Sequence, residues 1–371
     1  MTEIKVNPSR LRRKDEHIDL SLRQKPGLAD FSDIHFVHNC LPEENLDRVT
    51  LETTLMGMTL RSPLFINAVT GGTARACRIN AALAETAREC GLPMALGSQM
   101  AALEDPRARA TFEIVRRVNP GGLIWANLGA YATPEMARQA VRMVGASAVQ
   151  IHLNVPQELV MGEGDCRFHG RLDRIRKVLE HIQVPVIVKE VGFGIAREQA
   201  LLLMAAGVSA IDVGGRGGTN FVSIENRRAG AKISPCLLDW GIPTAISLIE
   251  SLDATGGKIP VIAAGGMGSS LNIAKALALG AEAVGIAGLP VYLLLKRGRQ
   301  ALIREIRKIE HELRLIMLMT GAANLDALRR KPLVITGITA EWLERRGIDY
   351  GAYARRGSGG NDITGRMPPS R

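Results

Sequence analysis

The stretch PVIAAGGMGSS, residues 260–270, runs apolar for five residues, breaks into glycines and then offers serines that can cap a helix. Seven other short apolar runs end in the same way. They are LFINAVT (64–70), MALGS (94–98), LIWANLG (123–129), AVQIHLN (148–154), VPVIVKEVG (184–192), AIDVGG (210–215) and AVGIAG (283–288). Segments with helical periodicity, such as 75–90 and 134–144, lie between them. Eight strand–helix units joined mostly by short turns predict an α/β fold, a closed (β/α)8 TIM barrel. A doubly wound open sheet is the alternative, but eight consecutive units close more naturally than they stay open. The expected organisation is an N-terminal arm and cover over the barrel mouth (1–60), the barrel (61–354) and a flexible, disordered Gly/Ser/Pro-rich tail (355–371).

Composition agrees with strands covered by helices. Of 371 residues, 46% are hydrophobic and only 4% aromatic, so small aliphatics fill the interior. The formal net charge of +10 suits an anionic partner. Base-stacking aromatics are scarce and no RNA-binding signature is present, so no nucleic acid is expected and small polyanions are. A basic scaffold built on the arm and on the helix expected over 296–315 is the weaker reading; that helix is expected to have a solvated basic face or to pack between subunits. The five cysteines form no CxxC pair, which fits a reducing cytosol better than a zinc site. No apolar run reaches the length of a membrane span and the N-terminus lacks a signal-peptide core, so no membrane insertion and a cytoplasmic location are expected.

Polar residues and glycines gather where strands give way to loops: Thr70, Ser98, Asn127, Asn154, Lys189, Gly214 and Gly265. Barrel active sites lie at that face. The turn Gly265-Gly266-Met267-Gly268 and the pair Ala287-Gly288 follow strands seven and eight, the usual phosphate site of the fold. Lys189 ends a strand buried on both sides, with Ile187 on its own face, and needs an anion or an electron-rich ring as partner. In strand four, Gln150, His152 and Asn154 share one face, an arrangement too costly for a barrel interior unless it serves a site. Glu158 is an oxygen ligand suited to Mg²⁺, which often takes one carboxylate plus substrate phosphates. The arm carries Arg10, Arg12, Arg13 and Lys14, which could clamp a diphosphate by folding over the mouth. Two connections are long, 155–170 after strand four and 214–239 after strand six, as functional loops often are.

Segments RKDEH (13–17), AVTGGT (68–73), GSQ (97–99), ANLGA (126–130), QIHLNVPQE (150–158), GGRGGTNF (214–221), VIAAGG (261–266) and LMTGAANLDAL (318–328) follow one another across nearly the whole chain. In this the sequence resembles the type 2 isopentenyl-diphosphate isomerases, which use FMN to interconvert isopentenyl and dimethylallyl diphosphates. The resemblance implies FMN contacts at Ala68, Val69, Thr70, Ser98, Asn127, Lys189 and Thr219, with the FMN phosphate at Gly266, Met267, Gly268, Ala287 and Gly288. It implies a substrate site of Arg13, Lys14, Ser98, Gln99, His152, Asn154 and Gln157, with Glu158 as the magnesium ligand and His152, Gln157 and Lys189 as the residues closest to the chemistry. It further implies reduced FMN as the active form, NADPH as reductant, and a homo-oligomer, tetramer or octamer. Two positions depart from the pattern: Met100 and Gly268 stand where many members carry arginine. The rival enzyme reading is an FMN-dependent oxidoreductase of the hydroxy-acid-oxidase type. That chemistry needs a His/Arg pair beside the flavin, and strands six and seven end DVGGRGG and AAGGMGS, without histidine.

Overall fold

The computed structural model describes residues 8–23, 26–230 and 235–357. Eight strands close a parallel barrel: β4 (Leu64–Ile66), β5 (Met94–Ala95), β6 (Ile124–Gly129), β7 (Ala148–Leu153), β8 (Val186–Glu190), β9 (Ala210–Asp212), β10 (Val261–Ala264) and β11 (Ala283–Ile286). Each pairs with its neighbours in chain order, and β11 returns to β4. Three short strands precede them: β1 (Ile34–Phe36), β2 (Thr53–Leu55) and β3 (Met58–Leu60). β1 pairs with β12 (Leu333–Ile335) outside the barrel, and β2 and β3 form a hairpin.

The helices are α1 (Pro8–Leu22), α2 (Ala74–Cys90), α3 (Met100–Glu104), α4 (Ala110–Val118), α5 (Pro134–Val144), α6 (Val155–Val160), α7 (Arg171–His181), α8 (Arg197–Ala205), α9 (Phe221–Arg228), α10 (Thr244–Thr255), α11 (Ser270–Leu279), α12 (Gly288–Arg297), α13 (Arg299–Met319), α14 (Leu325–Arg329), α15 (Gly337–Arg345) and α16 (Gly351–Ala354). Local chemistry sets their ends. Thr73 and Thr133 accept from Ala76 N and Met136 N at the starts of α2 and α5, and Gly91 and Gly145 stop them in the left-handed region.

Alternation along the strands sorts the side chains into layers. The lowest inward layer is apolar: Phe65, Ala95, Trp125, Ala148, Ile187, Ala210, Ile262 and Ala283. The β2–β3 hairpin packs Leu55 and Leu60 against it and plugs that end. The next inward layer holds Asn67, Asn127, Gln150, Lys189 and Asp212, all buried. Outward residues such as Val149, Ile151 and Val188 join the core under the helices. The described residues ahead of the barrel therefore serve both its ends: α1 lies at the strands' C-terminal mouth, the hairpin at the opposite end.

Three expectations change in detail. The helix expected over 296–315 is two, because Gly298 takes φ +81° and separates α12 from α13. Two of its arginines, Arg299 and Arg307, pair with Glu89 of α2. Each long connection contains a helix, α6 in one and α9 in the other. Of the tail, residues 355–357 are described, and Arg356 donates to the carbonyls of Ala278 and Leu279 while lying over the Tyr353 ring. Residues 358–371 lie outside the described residues. Among the described residues no helix is long and apolar enough to cross a membrane.

Candidate active site

The glycine turn after β10 is shaped by what lies against it. Gly265 and Gly266 adopt φ of +101° and +73°. A Cβ on Gly266 would come within 2.3 Å of Ala29 N, and one on Gly218 within 2.5 Å of Gly266 N. Such approaches leave room only for backbone, which is how a loop turns its N–H groups toward an anion. Thr219 joins this cradle: its Oγ1 lies 3.5 Å from where a Cβ on Gly288 would be. The loops after β9, β10 and β11 thus meet at one corner of the mouth. Met267 differs from its neighbours, because its side chain is buried in the core and only its backbone is available there. Gly268 is roomier, since a Cβ there would meet only Leu28 and Leu289 side-chain carbons.

Next to the cradle, Thr70 is buried and its Oγ1 has no hydrogen-bond partner among the described residues. A buried hydroxyl left open is costly unless a ligand completes it. Ala68 and Val69, half-buried, precede it on the same loop. Lys189 is 7% exposed and donates to the Glu190 carbonyl at 2.7 Å. It stands in register with Asp212, whose carboxyl is pushed up by burial while Lys189 pulls it down. Glu190 points away from the barrel axis and takes three backbone N–H groups, of Val191, Gly192 and Phe193, on one oxygen. Burial outweighs these bonds and pushes its carboxyl up to about 7.

The opposite side of the mouth comes from β7, α6 and α1. His152 Nδ1 lies 2.8 Å from Asn127 Oδ1. Burial, then the charges of Lys189, Arg171 and Lys14, press its imidazole down to about 3, so it is neutral at physiological pH. Asn154 leaves the strand, starts α6 and donates to Glu158 Oε1 at 2.8 Å and Gln157 Oε1 at 3.4 Å. Glu158 Oε2 accepts from Asp165 N. Helix α1 brings Lys14 to Ser98, whose carbonyl it meets at 3.1 Å, and Arg13 to Glu163 at 3.5 Å and to the Met161 sulfur. His17 holds Glu225 at 2.7 Å, and Arg228 ties Glu225 to Glu163. The side chains of Arg10 and Arg12 lie outside the described residues.

Two of the expected contact residues are engaged within the barrel wall. Gln99 is fully buried; its amide donates to Ala140 O and accepts from Asn127 N. Asn127 uses its side chain within the barrel, between Gln150 and His152. Four residues were not singled out from the sequence: Asn67, Asp212, Glu190 and Glu163. Asp212 was open to the argument used for Lys189, since it too is charged in a strand buried on both sides.

Comparison with known proteins now decides the family. The isopentenyl-diphosphate delta-isomerase of Geobacillus sp. (strain WCH70) is 49% identical over 350 residues, covering 94% of this chain and all of that one. Those of Bacillus licheniformis and Symbiobacterium thermophilum are 47% and 46% identical over 94% of this chain and 100% and 98% of their own lengths. The chain belongs to the isopentenyl-diphosphate delta-isomerase family. A family model described as FMN-dependent dehydrogenase matches residues 161–335, which is consistent with the FMN-dependent, type 2 enzymes. Among solved structures, mandelate oxidase with (S)-2-phenylpropionate has a TM-score of 0.62 at 20% identity, covering 90% of this chain and 99% of that one. That likeness concerns the barrel fold alone. The relatives favour the isomerase over the hydroxy-acid-oxidase reading.

The residues present suit FMN. A cradle that only backbone can line, an open buried hydroxyl at Thr70 and a buried cation at Lys189 match a phosphate, a polar ring edge and an anionic ring. They also suit a magnesium ion held largely by its substrate. Among the described residues no cluster of three or more His, Cys, Asp or Glu exists, so Glu158 would act as a single carboxylate ligand.

Proposed function

We propose that the mouth of this barrel is where the chain interconverts isopentenyl and dimethylallyl diphosphates, with FMN in the corner formed by Thr70, Lys189, Thr219, Gly266, Gly268 and Gly288. The observation that carries the reading is an opposition across the mouth. A neutral anion cradle with one buried lysine stands on one side, and Arg13, Lys14, His152, Gln157 and Glu158 on the other.

The reaction moves a double bond: a proton adds at the terminal alkene carbon and another leaves the carbon on the far side. A simple alkene is a weak base, so a well-placed acid is required. Bound reduced FMN would supply the group that gives the first proton and takes up the second, with no net redox change, and NADPH would serve only to reduce it. Lys189 would hold negative charge on the bound cofactor, and Thr70 would donate to it or accept from it. Arg13 and Lys14 bind the diphosphate and are released from Glu163 and Ser98 to do so. Glu158 would hold Mg²⁺ against the same diphosphate, with Asn154 fixing the carboxylate. His152 and Gln157 line the pocket and orient the alkene, and neutral His152 adds no charge of its own. Helix α1 closes over the mouth and excludes water.

The test is turnover by purified protein given isopentenyl diphosphate, FMN, Mg²⁺ and NADPH. Dimethylallyl diphosphate should accumulate far beyond the NADPH consumed. Stoichiometric consumption of NADPH or oxygen with a hydroxy acid would overturn the reading in favour of an oxidoreductase.

A further inference from the structure

The polar layer inside the barrel is a directed chain of hydrogen bonds. Ala68 N–H donates to Asn67 Oδ1 at 2.8 Å, and this fixes which end of that amide is oxygen. Asn67 Nδ2 therefore faces Asp212 Oδ2, at 2.8 Å, as a carboxylate acceptor requires. Asp212 is itself held by Gly214 N on its other oxygen. Because Asn67 Oδ1 carries no hydrogen, the Gln150 atom 3.1 Å from it is the donor Nε2. Gln150 Oε1 is then left for Asn127 Nδ2 at 3.0 Å, and Asn127 Oδ1 for His152 Nδ1 at 2.8 Å. At each link one amide's orientation forces the next. All four residues before the histidine are at most 3% exposed, so water offers no alternative partner.

We propose that Asp212, Asn67, Gln150 and Asn127 are positioning residues that lock His152 as its Nδ1–H tautomer, so that Nε2 faces the mouth as a hydrogen-bond acceptor. An oxygen at Asn127 Oδ1 can be satisfied only by an N–H on Nδ1. The pressure on the imidazole to stay neutral points the same way, although the nearby Leu128 carbonyl works against it. The consequence for the active site rests on the reading given above. A nitrogen lone pair repels a bare phosphate oxygen and engages a group that bears hydrogen. Where a diphosphate and a divalent cation meet, that group is a metal-bound water or a protonated diphosphate oxygen. His152 would then steer the substrate by accepting, while Arg13 and Lys14 do the donating.

Magic-angle-spinning ¹⁵N NMR of sedimented holoprotein, labelled at its seven histidines, reads this directly. The His152 signals are assigned by their loss in His152→Gln. At neutral pH the expected result is a protonated Nδ1 and an imine-type Nε2. Gln150→Met removes the link without changing its length, and should add a second, Nε2–H population while FMN content is retained. A wild-type spectrum dominated by Nε2–H would overturn the proposal, as would a Gln150→Met spectrum identical to wild type. The wild-type spectrum decides the tautomer without any variant. If Gln150→Met fails to fold, Asn67→Ser breaks the chain one residue earlier and is read in the same way. The measurement needs no isomerase turnover, so its failure is distinguishable from failure of the functional reading.

Discussion

Lys189 and Asp212 face each other in register across the β8–β9 pair, both inside the barrel and both almost wholly buried. Neither charge has water to stabilise it, so each depends on the other and on the polar atoms around it. Lys189→Met should therefore do more than weaken a cofactor contact. Flavin-free protein should lose about 1–3 kcal/mol of stability in urea titrations, because the Asp212 carboxylate is left uncompensated. The double variant Lys189→Met/Asp212→Asn should recover part of that loss, and additive losses would show that the two do not interact.

The cradle predicts opposite outcomes at two neighbouring glycines. Gly266→Ala places a methyl 2.3 Å from Ala29 N in a left-handed conformation, so FMN retention on a desalting column should fall sharply. At Gly268 an added Cβ meets only side-chain carbons of Leu28 and Leu289, and Leu28 is 60% exposed and able to move, so Gly268→Arg starts from a site that can open. It should restore a charge-assisted contact to the cofactor phosphate of about 1.5–3 kcal/mol. Fluorescence titration would show this as roughly a 10- to 100-fold lower Kd for FMN.

Glu158→Gln keeps the side-chain length but removes the charge that suits Mg²⁺. The concentration of Mg²⁺ giving half-maximal activity should rise by about tenfold or more, with FMN affinity unchanged. An unaltered magnesium dependence would remove Glu158 from the site.

Glu190 makes a prediction about pH. Its folded carboxyl is raised, to about 7, above its ordinary value near 4.5, so the native state holds more protons than the unfolded state between those values. Stability should fall as pH rises through that window and level off above it. Glu190→Gln keeps an oxygen for the three loop N–H groups and should flatten that slope, as read by thermal melts from pH 4.5 to 8.

The closed barrel was legible because strands buried on both faces leave a strong mark: apolar runs ending in turn residues at regular spacing. Lys189 stood out by the same contrast. Gln150 stood out only as part of the polar face of its strand, and Asn67 did not stand out, since an amide in a strand has meaning only once its partners across the barrel are known. The orientation of Gln99 was not legible, because it lies between the end of β5 and the start of α3, where a side chain is free to turn to the mouth or into the wall. The wall won because Ala140 O and Asn127 N both offered it a partner. Glu163 and Arg228 form their ion pair across 65 positions of chain, a distance that periodicity does not bridge.

The strip from Pro26 to Ala29 crosses the glycine turn, with Ala29 N bonded to Gly266 O and Asn272 gripping the Ala29 carbonyl. Pro26 reaches Gly288 and Leu28 covers Gly268. With FMN seated as proposed, this strip would lie over its phosphate end, and cofactor loading would then be an act of maturation rather than of turnover. A protease cut or a bulky tag near residue 26 would then show itself first as a protein that bleaches on the column, long before it unfolds.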